Sequence, residues 1–235
     1  MRSALLIAVA GCATAASSPA PVTGGAPVVI ELFTSQGCSS CPPADQLVAD
    51  LARAGQSRGR EVVPLAFHVD YWNNLGWNDP FSSPAWTARQ QDYARALNDR
   101  SVYTPELVVA GDVGMVGSQA GRVADAIAHA PLQRELQASA TWSPTALSID
   151  AAPVADAQLF VAIWEDAPKT SVPSGENAGS SLVSDRVVRA LQRVDGSTQV
   201  ALDPSWKPGG AVVFAQRPDR HIVGAKVIAQ PAQVR

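Results

Sequence analysis

The stretch VVIELFTSQGCSSCPPAD, residues Val28–Asp45, decides how this chain folds. Its first part, Val28–Phe33, is apolar apart from Glu31 and rich in β-branched side chains, which predicts a buried strand. Gly37 marks a turn, and Pro42 suits the first turn of a helix, where its missing N–H costs no hydrogen bond. The stretch therefore predicts a strand, a turn and a helix in succession.

Cys38 and Cys41 form a C-x-x-C pair at the junction between this strand and this helix. The partial positive charge at a helix N-terminus stabilises a thiolate over a thiol, and the spacing allows the two sulfurs to close into a small disulfide ring. Such a dithiol can attack a disulfide, be attacked by a thiolate and resolve the mixed disulfide that forms. Taken alone, the pair could also be a structural crosslink or a metal clip.

The composition is that of a globular protein, because 46% of the 235 residues are hydrophobic and 17% are charged. This provides ample material for a core, and the length allows one large domain or two small ones. The formal net charge of −3 gives no electrostatic reason to expect nucleic acid as a partner. No stretch is long and apolar enough to span a bilayer in the mature protein.

The N-terminus, residues 1–16, is typical of an export signal, with a basic start, an apolar segment over Ser3–Ala10 and small residues after it. The segment Val9–Cys12 resembles a bacterial lipoprotein box, in which Cys12 becomes the lipidated first residue and anchors the protein to a membrane. In the alternative, a signal peptidase cuts after the alanines and removes Cys12. We therefore expect an exported protein that is either periplasmic or a membrane-anchored lipoprotein.

The chain has three cysteines. If Cys12 is lipidated or removed, only Cys38 and Cys41 remain in the folded part. Proteins of oxidising compartments normally use cysteines as structural crosslinks across long loops, and this chain has one close pair instead. That pattern favours a redox-active or metal-binding pair over a scaffold disulfide.

The rest of the chain divides by composition into three regions. Residues 17–27 are rich in Ser, Pro, Ala and Gly and are predicted to be a tether. Residues 28–131 follow with the predicted order β-α-β-α-β-β-α. Residues 140–235 contain short strands separated by turn residues, which predicts a small β-sandwich. Within this last region, Lys169–Ser184 is polar and rich in Gly and Ser and is expected to be a mobile loop, whereas Arg186–Val194 is expected to be a strand.

The predicted element order, with a C-x-x-C after the first strand, resembles the thioredoxin fold. Proteins of that fold place a cis-proline, packed against the dithiol, at the start of the strand that opens the final hairpin, and Thr104-Pro105 stands at the matching place. An X–Pro bond tolerates the cis isomer far better than other peptide bonds, and the cis form would free the Thr104 backbone to pair with an extended substrate. The alternative is an ordinary edge-strand proline. We expect an α/β thioredoxin-like domain over 28–131 and a β-rich, sandwich-like C-terminal domain over 140–235.

The segment Phe33–Asp45 also resembles the signature of a secreted bacterial thioredoxin-like family of unknown function. Further segments resemble the same family: His68–Trp72, Gly76–Phe81, Arg89–Gln91, Gly175–Asn177 and Val187–Arg189. The resemblance implies a thioredoxin-like fold and export, and it supplies no substrate. It also implies that Cys38 is the exposed nucleophile and that Cys41 is the buried thiol that resolves the mixed disulfide.

The residues around the dithiol allow two interpretations each. His68 and Asp70 lie two apart near the end of the second strand and share one face. Either one of them assists proton transfer to Cys41 or binds a metal with the thiolates, or His68 is a hydrogen-bonded core histidine and Asp70 caps the next loop. Trp72 and the aromatic residues after it either line a groove for a partner peptide or belong to the core.

We therefore predict an extracytoplasmic thiol–disulfide oxidoreductase that uses Cys38 and Cys41, with protein thiols or disulfides as partners and no cofactor or bound metal. Thr104 and Pro105 are predicted to contact the substrate. One alternative is a Cu(I)-trafficking protein with Cys38, Cys41 and His68 as ligands, since Cu(I) favours soft thiolates. The other is a non-catalytic envelope-binding module with a vestigial disulfide.

Overall fold

A computed structural model describes residues 25–166 and 168–230. The predicted export signal, Cys12 and most of the predicted tether therefore lie outside the described residues. Within the described part, no helix is both long and apolar enough to cross a membrane.

The helices of the described part are α1 (Pro42–Ala54), α2 (Pro84–Ala96) and α3 (Ala120–His129), and a single 3₁₀ turn covers Asn73–Leu75. The strands are β1 (Val28–Thr34), β2 (Gln56–Ser57), β3 (Arg60–His68), β4 (Glu106–Val109), β5 (Val113–Val116), β6 (Arg134–Glu135), β7 (Ala138–Trp142), β8 (Ala146–Ala151), β9 (Gln158–Glu165), β10 (Lys169–Ser171), β11 (Ser181–Val183), β12 (Val187–Val194), β13 (Ser197–Ala201), β14 (Pro208–Gln216) and β15 (Ile222–Ala229).

The first half of the chain forms one end of the main sheet, in the order β5-β4-β1-β3. β1 is parallel to β3 and antiparallel to β4, and β4 forms a hairpin with β5. Helices α1 and α3 pack on one face of these strands, and α2 packs on the other. Apart from the two-residue strand β2, the predicted element order through residue 131 is confirmed.

Strand β1 is buried on both faces, which explains why its sequence is a nearly continuous apolar run. The exception is Glu31, which is also buried and lies within 2.5 Å of the Arg89 guanidinium. Tyr93 donates a hydrogen bond to Glu31, and Gln216 donates one to the Tyr93 hydroxyl. These contacts join β1, α2 and β14 through a buried charge that would be very costly without a partner.

The second half of the chain extends the same sheet. β12 pairs in parallel with β3 through Val187 and Ala66, and the sheet continues in the order β12-β9-β14-β15-β6. A second sheet, β13-β8-β7, encloses an apolar cluster with β9 and β14. The second half is therefore rich in β-strands, as expected, but its larger sheet is continuous with the sheet of the first half. The sequence does not reveal this, because the pairing of β3 with β12 joins segments that are distant in the chain.

Helix α2 packs against strands from both halves. Its residues Trp86 and Tyr93 share one apolar cluster with Phe33 and Phe67 of the first half and with Phe214 of the second. The guanidinium of Arg89 lies against four aromatic rings of this cluster: Phe67, Tyr93, Phe160 and Phe214. The two halves therefore share a core as well as a sheet.

The segment Lys169–Ser184, expected to be a mobile loop, contains a hairpin instead. β10 and β11 pair antiparallel, and two backbone hydrogen bonds, Val172 to Ser180 and Gly179 to Val172, hold the tip. These strands are too short and polar to give an alternating sequence pattern, which is why the composition suggested a loop. The predicted strand at Arg186–Val194 is confirmed as β12.

Candidate functional site

Cys38 and Cys41 lie in the turn between β1 and α1. The backbone N–H of Cys38 donates to the carbonyl of Ser35, and that of Cys41 donates to the carbonyl of Cys38. These turns place the two Cα atoms 5.4 Å apart with the sulfurs bonded at 2.17 Å. Helix α1 begins directly afterwards, with Cys41 as its N-cap and Pro42 in its first turn. The pair therefore sits where the predicted strand–turn–helix arrangement places it.

Both cysteines are fully buried, whereas Ser39 and Ser40 between them are exposed. The resemblance implied an exposed Cys38, and this expectation is wrong for the conformation described. A segment from the distant hairpin tip is hydrogen-bonded to the backbone of the C-x-x-C loop. We call Ser174–Asn177 the strap.

The strap is hydrogen-bonded to the backbone of the C-x-x-C loop. The Asn177 side-chain amide donates to the carbonyl oxygens of Gln36 and Cys38, at 2.9 and 3.0 Å. The Glu176 carboxylate accepts a hydrogen bond from the backbone N–H of Ser39 at 3.0 Å. Although Gly175–Asn177 was among the segments that resemble the family, the sequence offered no signal that it lies here, because the contact joins elements far apart in the chain.

The strap also contacts the loop that follows β3. The hydroxyl of Ser174 donates to the carbonyl of Gly76 at 2.5 Å. A Cβ added to Gly76 would lie 3.4 Å from the backbone of Gly175, and one added to Gly175 would lie 3.0 Å from the Cβ of Trp77. Both glycines have positive φ, at 103° and 79°, so the contact depends on residues that adopt this conformation without a side-chain clash.

Glu176 places a negative charge beside the C-x-x-C loop. Hydrogen bonds from Ser39 hold the pKa of the Glu176 carboxyl below its ordinary value, so the group is ionised at neutral pH. This charge lies beside the backbone of Ser39, the residue that follows Cys38. Like charges repel, so Glu176 opposes the thiolate that the helix N-terminus stabilises.

Asp45 lies one helical turn after Cys41. The Thr34 hydroxyl donates to its carboxylate at 2.8 Å, and its backbone N–H donates to the Cys41 carbonyl at 3.1 Å. Burial raises the pKa of Asp45 to about 6, so its carboxyl titrates close to neutral pH. A groove of about 380 Å³ between α1 and β11 reaches this residue.

His68 pairs with Asp79, and the distance between Nδ1 and Oδ2 is 2.7 Å. Burial by itself would lower the pKa of His68, but the charge and hydrogen bond of Asp79 raise it overall. The pKa of Asp79 is lowered despite its burial, because His68 and the backbone N–H groups of Gln36 and Phe81 favour the carboxylate. The interpretation of His68 as a hydrogen-bonded core histidine is confirmed.

Asp70 does not contact His68. Its carboxylate accepts a hydrogen bond from the Thr87 hydroxyl at 2.5 Å, which ties the loop after β3 to helix α2. The actual partner of His68, Asp79, lies in the same loop and also accepts a hydrogen bond from the backbone N–H of Gln36 at 2.7 Å. Asp79 therefore supports the turn that carries Cys38, and no sequence pattern distinguished it from the other carboxylates.

The aromatic residues of this loop pack on the C-x-x-C turn. The Cβ of Trp72 would lie 3.2 Å from a Cβ added to Gly37, and its indole N–H donates to the Thr104 hydroxyl at 2.8 Å. The indole N–H of Trp77 donates to the Gln36 side chain at 3.3 Å. Trp72 is half-buried against the shared core, so it contributes to packing and also borders the site.

Thr104 and Pro105 lie beside the end of β1. The peptide bond between them is cis, and Pro105 is buried. The antiparallel register pairs Phe33 with Glu106, so Pro105 stands next to Thr34, immediately before the C-x-x-C turn. The structure therefore brings Pro105 to the same end of β1 as the cysteines. The contact of Thr104 and Pro105 with a substrate stays a prediction.

A copper site would need further ligands near the two cysteines. Among the described residues, no group of three or more His, Cys, Asp and Glu side chains is arranged to hold a metal ion. The proposed third ligand, His68, uses Nδ1 for Asp79, and its Nε2 has no hydrogen-bond partner in the described part of the chain.

Comparisons with known proteins identify one family and two similar structures. The chain matches the model of a family described as "Protein of unknown function (DUF1223)" over residues 29–216. The crystal structure of an Agrobacterium tumefaciens protein is similar, with 29% identity, 91% of this chain and 99% of that chain covered, and a TM-score of 0.69. HBP35 of Porphyromonas gingivalis shares the fold at 13% identity and a TM-score of 0.60, with 90% and 78% covered. No curated protein matches the chain significantly.

Proposed function

Because the chain belongs to the DUF1223 family, whose function is unknown, we propose from its own site that it is an extracytoplasmic thiol–disulfide oxidoreductase. Its partners are protein thiols or disulfides. The observation that carries the proposal is the Cys38–Cys41 pair, joined as a disulfide at the N-terminus of α1. We also propose that residues 28–131 are a thioredoxin-like unit, which the parallel β1–β3 pair and the helices on both faces support.

The exchange consists of two thiolate displacements. In the oxidising direction, a partner thiolate attacks Sγ of Cys38, the bond to Cys41 breaks, and Cys41 leaves as a thiolate that takes up a proton. A second partner thiolate then attacks the partner's sulfur in the mixed disulfide, and Cys38 leaves and is protonated. Two electrons pass from the partner dithiol to the protein, and the reverse sequence reduces a partner disulfide.

Each nearby group has a role in this sequence. The N-terminus of α1 stabilises a Cys38 thiolate through the partial charge of its free N–H groups. Asp45 lies one helical turn after Cys41, and its pKa of about 6 suits it to take up and release a proton near neutral pH. The His68–Asp79 pair positions the turn, because Asp79 accepts the hydrogen bond from Gln36.

Export remains part of the proposal and depends on residues 1–16. The mature protein is proposed to be periplasmic, or anchored through a lipid on Cys12. The mass of its N-terminal peptide from the native host distinguishes the two forms. A diacylglyceryl mass on Cys12 supports the anchor, and a mature chain without Cys12 excludes it.

The decisive experiment measures disulfide exchange by the whole protein. The oxidised protein is mixed with a reduced polypeptide that contains two cysteines, and alkylation and mass spectrometry follow the thiols of both partners. We expect a two-electron exchange that is lost in Cys38→Ser. Cys41→Ala, mixed with the disulfide form of the same polypeptide, should accumulate a mixed disulfide, because the Cys38 thiolate attacks one sulfur, the other leaves as a thiolate, and Cys41 is not there to release the partner. If the wild-type protein exchanges no disulfide with any polypeptide probe, the proposed function is excluded.

A further inference from the structure

The strap offers the C-x-x-C turn the same groups that a polypeptide backbone would offer. Asn177 supplies N–H donors to the carbonyl oxygens of Gln36 and Cys38, and Glu176 supplies an oxygen acceptor to the N–H of Ser39. A strand of a partner protein also presents alternating N–H and C=O groups and binds exposed backbone in this way. The strap therefore occupies the hydrogen-bonding positions that such a strand would use.

The strap covers the turn without being part of the core. Ser174 and Glu176 are exposed, and Val172 at the base of the tip is the buried anchor. The strand beside it, β11, leaves a groove of about 380 Å³ against α1 instead of close packing. The contact with the loop after β3 consists of the hydrogen bond from Ser174 and the approach of Gly175 to Trp77. These contacts are few enough to be exchanged for those of a partner.

We propose that the strap gates the dithiol, and that the partner is an extended polypeptide segment that displaces the strap by pairing with the backbone of residues 36–39. The inference rests on the proposed function and adds the class of partner. With the strap closed, both cysteines are buried and no attacking thiolate reaches Sγ of Cys38. With the strap open, two carbonyl groups and one N–H lose their partners, and a polypeptide can replace all three.

Small thiols lack the groups that replace these hydrogen bonds. Each neutral hydrogen bond corresponds to roughly a twofold to tenfold change in an equilibrium constant. A small thiol therefore reacts only with the minor open form, whereas a polypeptide also stabilises that form. The gate makes the dithiol selective for polypeptides without a dedicated binding pocket.

The test compares the rates at which two reductants open the Cys38–Cys41 disulfide: excess 2-mercaptoethanol, two molecules of which are oxidised to their disulfide, and a reduced polypeptide with two cysteines. Asn177→Ala removes both donors, and Gly175→Ala pushes the strap away from Trp77. Gly179→Ala is the matched control, because Gly179 also has positive φ, at 82°, but a Cβ there meets nothing within 4 Å.

We expect Asn177→Ala and Gly175→Ala to react with 2-mercaptoethanol roughly tenfold faster than wild type, since two hydrogen bonds or their equivalent are lost. Their rates with the polypeptide should change less than about threefold, on the same reasoning, because the polypeptide already displaces the strap. Gly179→Ala should resemble wild type with both reductants.

Three results would count against these ideas separately. Unchanged rates with 2-mercaptoethanol in both strap variants would overturn the gate. Equal acceleration with both reductants would overturn the displacement by a polypeptide. Accelerated reaction with 2-mercaptoethanol, together with no polypeptide exchange in any form of the protein, would reject the proposed function and the polypeptide partner while leaving the strap as a cover.

Discussion

The carboxylate of Glu176 accepts a hydrogen bond from the backbone N–H of Ser39, at a distance of 3.0 Å. This contact puts an ionised, solvent-exposed group beside the first turn of α1, the position that ordinarily favours anions. The strap therefore contributes charge to the site as well as cover. An anion that approaches the backbone of Ser39 is repelled by this carboxylate.

The charge of Glu176 predicts a preference among attacking thiols. The wild-type disulfide should react faster with a cationic thiol, cysteamine, than with an anionic one, 3-mercaptopropionate. Glu176→Gln keeps an acceptor for Ser39 but removes the charge, so the ratio of the two rates should fall by roughly twofold to fivefold at low salt. Glu61→Gln, on the exposed start of β3, is the control. A ratio that is unaffected by Glu176→Gln would contradict the electrostatic role.

Asp45 predicts a pH-dependent stability. Its folded-state pKa of about 6 lies above the ordinary value of 3.8, so the folded state favours the protonated acid and loses stability as the pH rises from about 4 to about 6. Asp45→Asn removes that cost and can still accept the hydrogen bond from Thr34. Because the carboxyl is only partly buried, Asp45→Asn should raise the free energy of unfolding at pH 8 by about 1–2 kcal/mol. Urea unfolding of the oxidised wild-type and variant proteins at pH 4 and pH 8 measures this change. An equal increase in stability at both pH values would refute the prediction.

The His68–Asp79 pair predicts a loss of stability at both ends of the pH range. The raised pKa of His68 means that its contribution is complete below pH 6.5 and lost as the pH rises through the folded-state pKa. The lowered pKa of Asp79 means that its contribution is present above its ordinary pKa and lost as the pH falls through the folded-state value. Their joint contribution is therefore largest between these limits.

Breaking the His68–Asp79 pair should lower the free energy of unfolding near pH 6. Asp79→Asn leaves the buried imidazolium without its counter-charge and should cost about 3 kcal/mol. It should also lower the pKa of His68, which an NMR titration measures. Asp70→Asn, which weakens only the contact with Thr87, should cost about 1 kcal/mol. An unchanged His68 titration in Asp79→Asn would show that the pair does not set its charge.

The buried ion pair between Arg89 and Glu31 predicts non-additive mutations. Arg89→Met leaves the Glu31 carboxylate buried and should destabilise the protein by about 3–5 kcal/mol. The double variant with Glu31→Met should lose less stability than the single Arg89→Met variant, because no unpaired charge remains buried. Free energies of unfolding for the two single variants and the double variant provide the test. Additive losses would mean that the pair is not energetically coupled.

The features that depend on short-range sequence patterns were predicted correctly. The apolar run of β1, the turn at Gly37 and the proline at the start of α1 each follow a local rule, so the position of the C-x-x-C pair was predicted correctly. Pro105 was also placed correctly before β4, since a hairpin follows it. These are the parts of the site for which spacing alone is informative.

The contacts that complete the site are between segments distant in the chain. The pairing of His68 with Asp79 involves one carboxylate among several, and the cover over Cys38 comes from a hairpin whose strands are too short for a periodic pattern. The pairing of β12 with β3 is equally invisible, because a strand with an open edge and one with a neighbour have the same sequence periodicity. The burial of Cys38 could likewise not be predicted from its neighbours in the sequence.

The hydrogen bond between Ser39 and Glu176 joins residues that are 137 positions apart in the chain. Synthesis runs from the N-terminus and long-range contacts close slowly, so the cysteines are made well before the segment that covers them. A nascent chain therefore presents an uncovered dithiol to any oxidant in its surroundings. That environment sets the first oxidation state of the cysteine pair during folding. Later changes in its oxidation state depend on partners that can displace the strap.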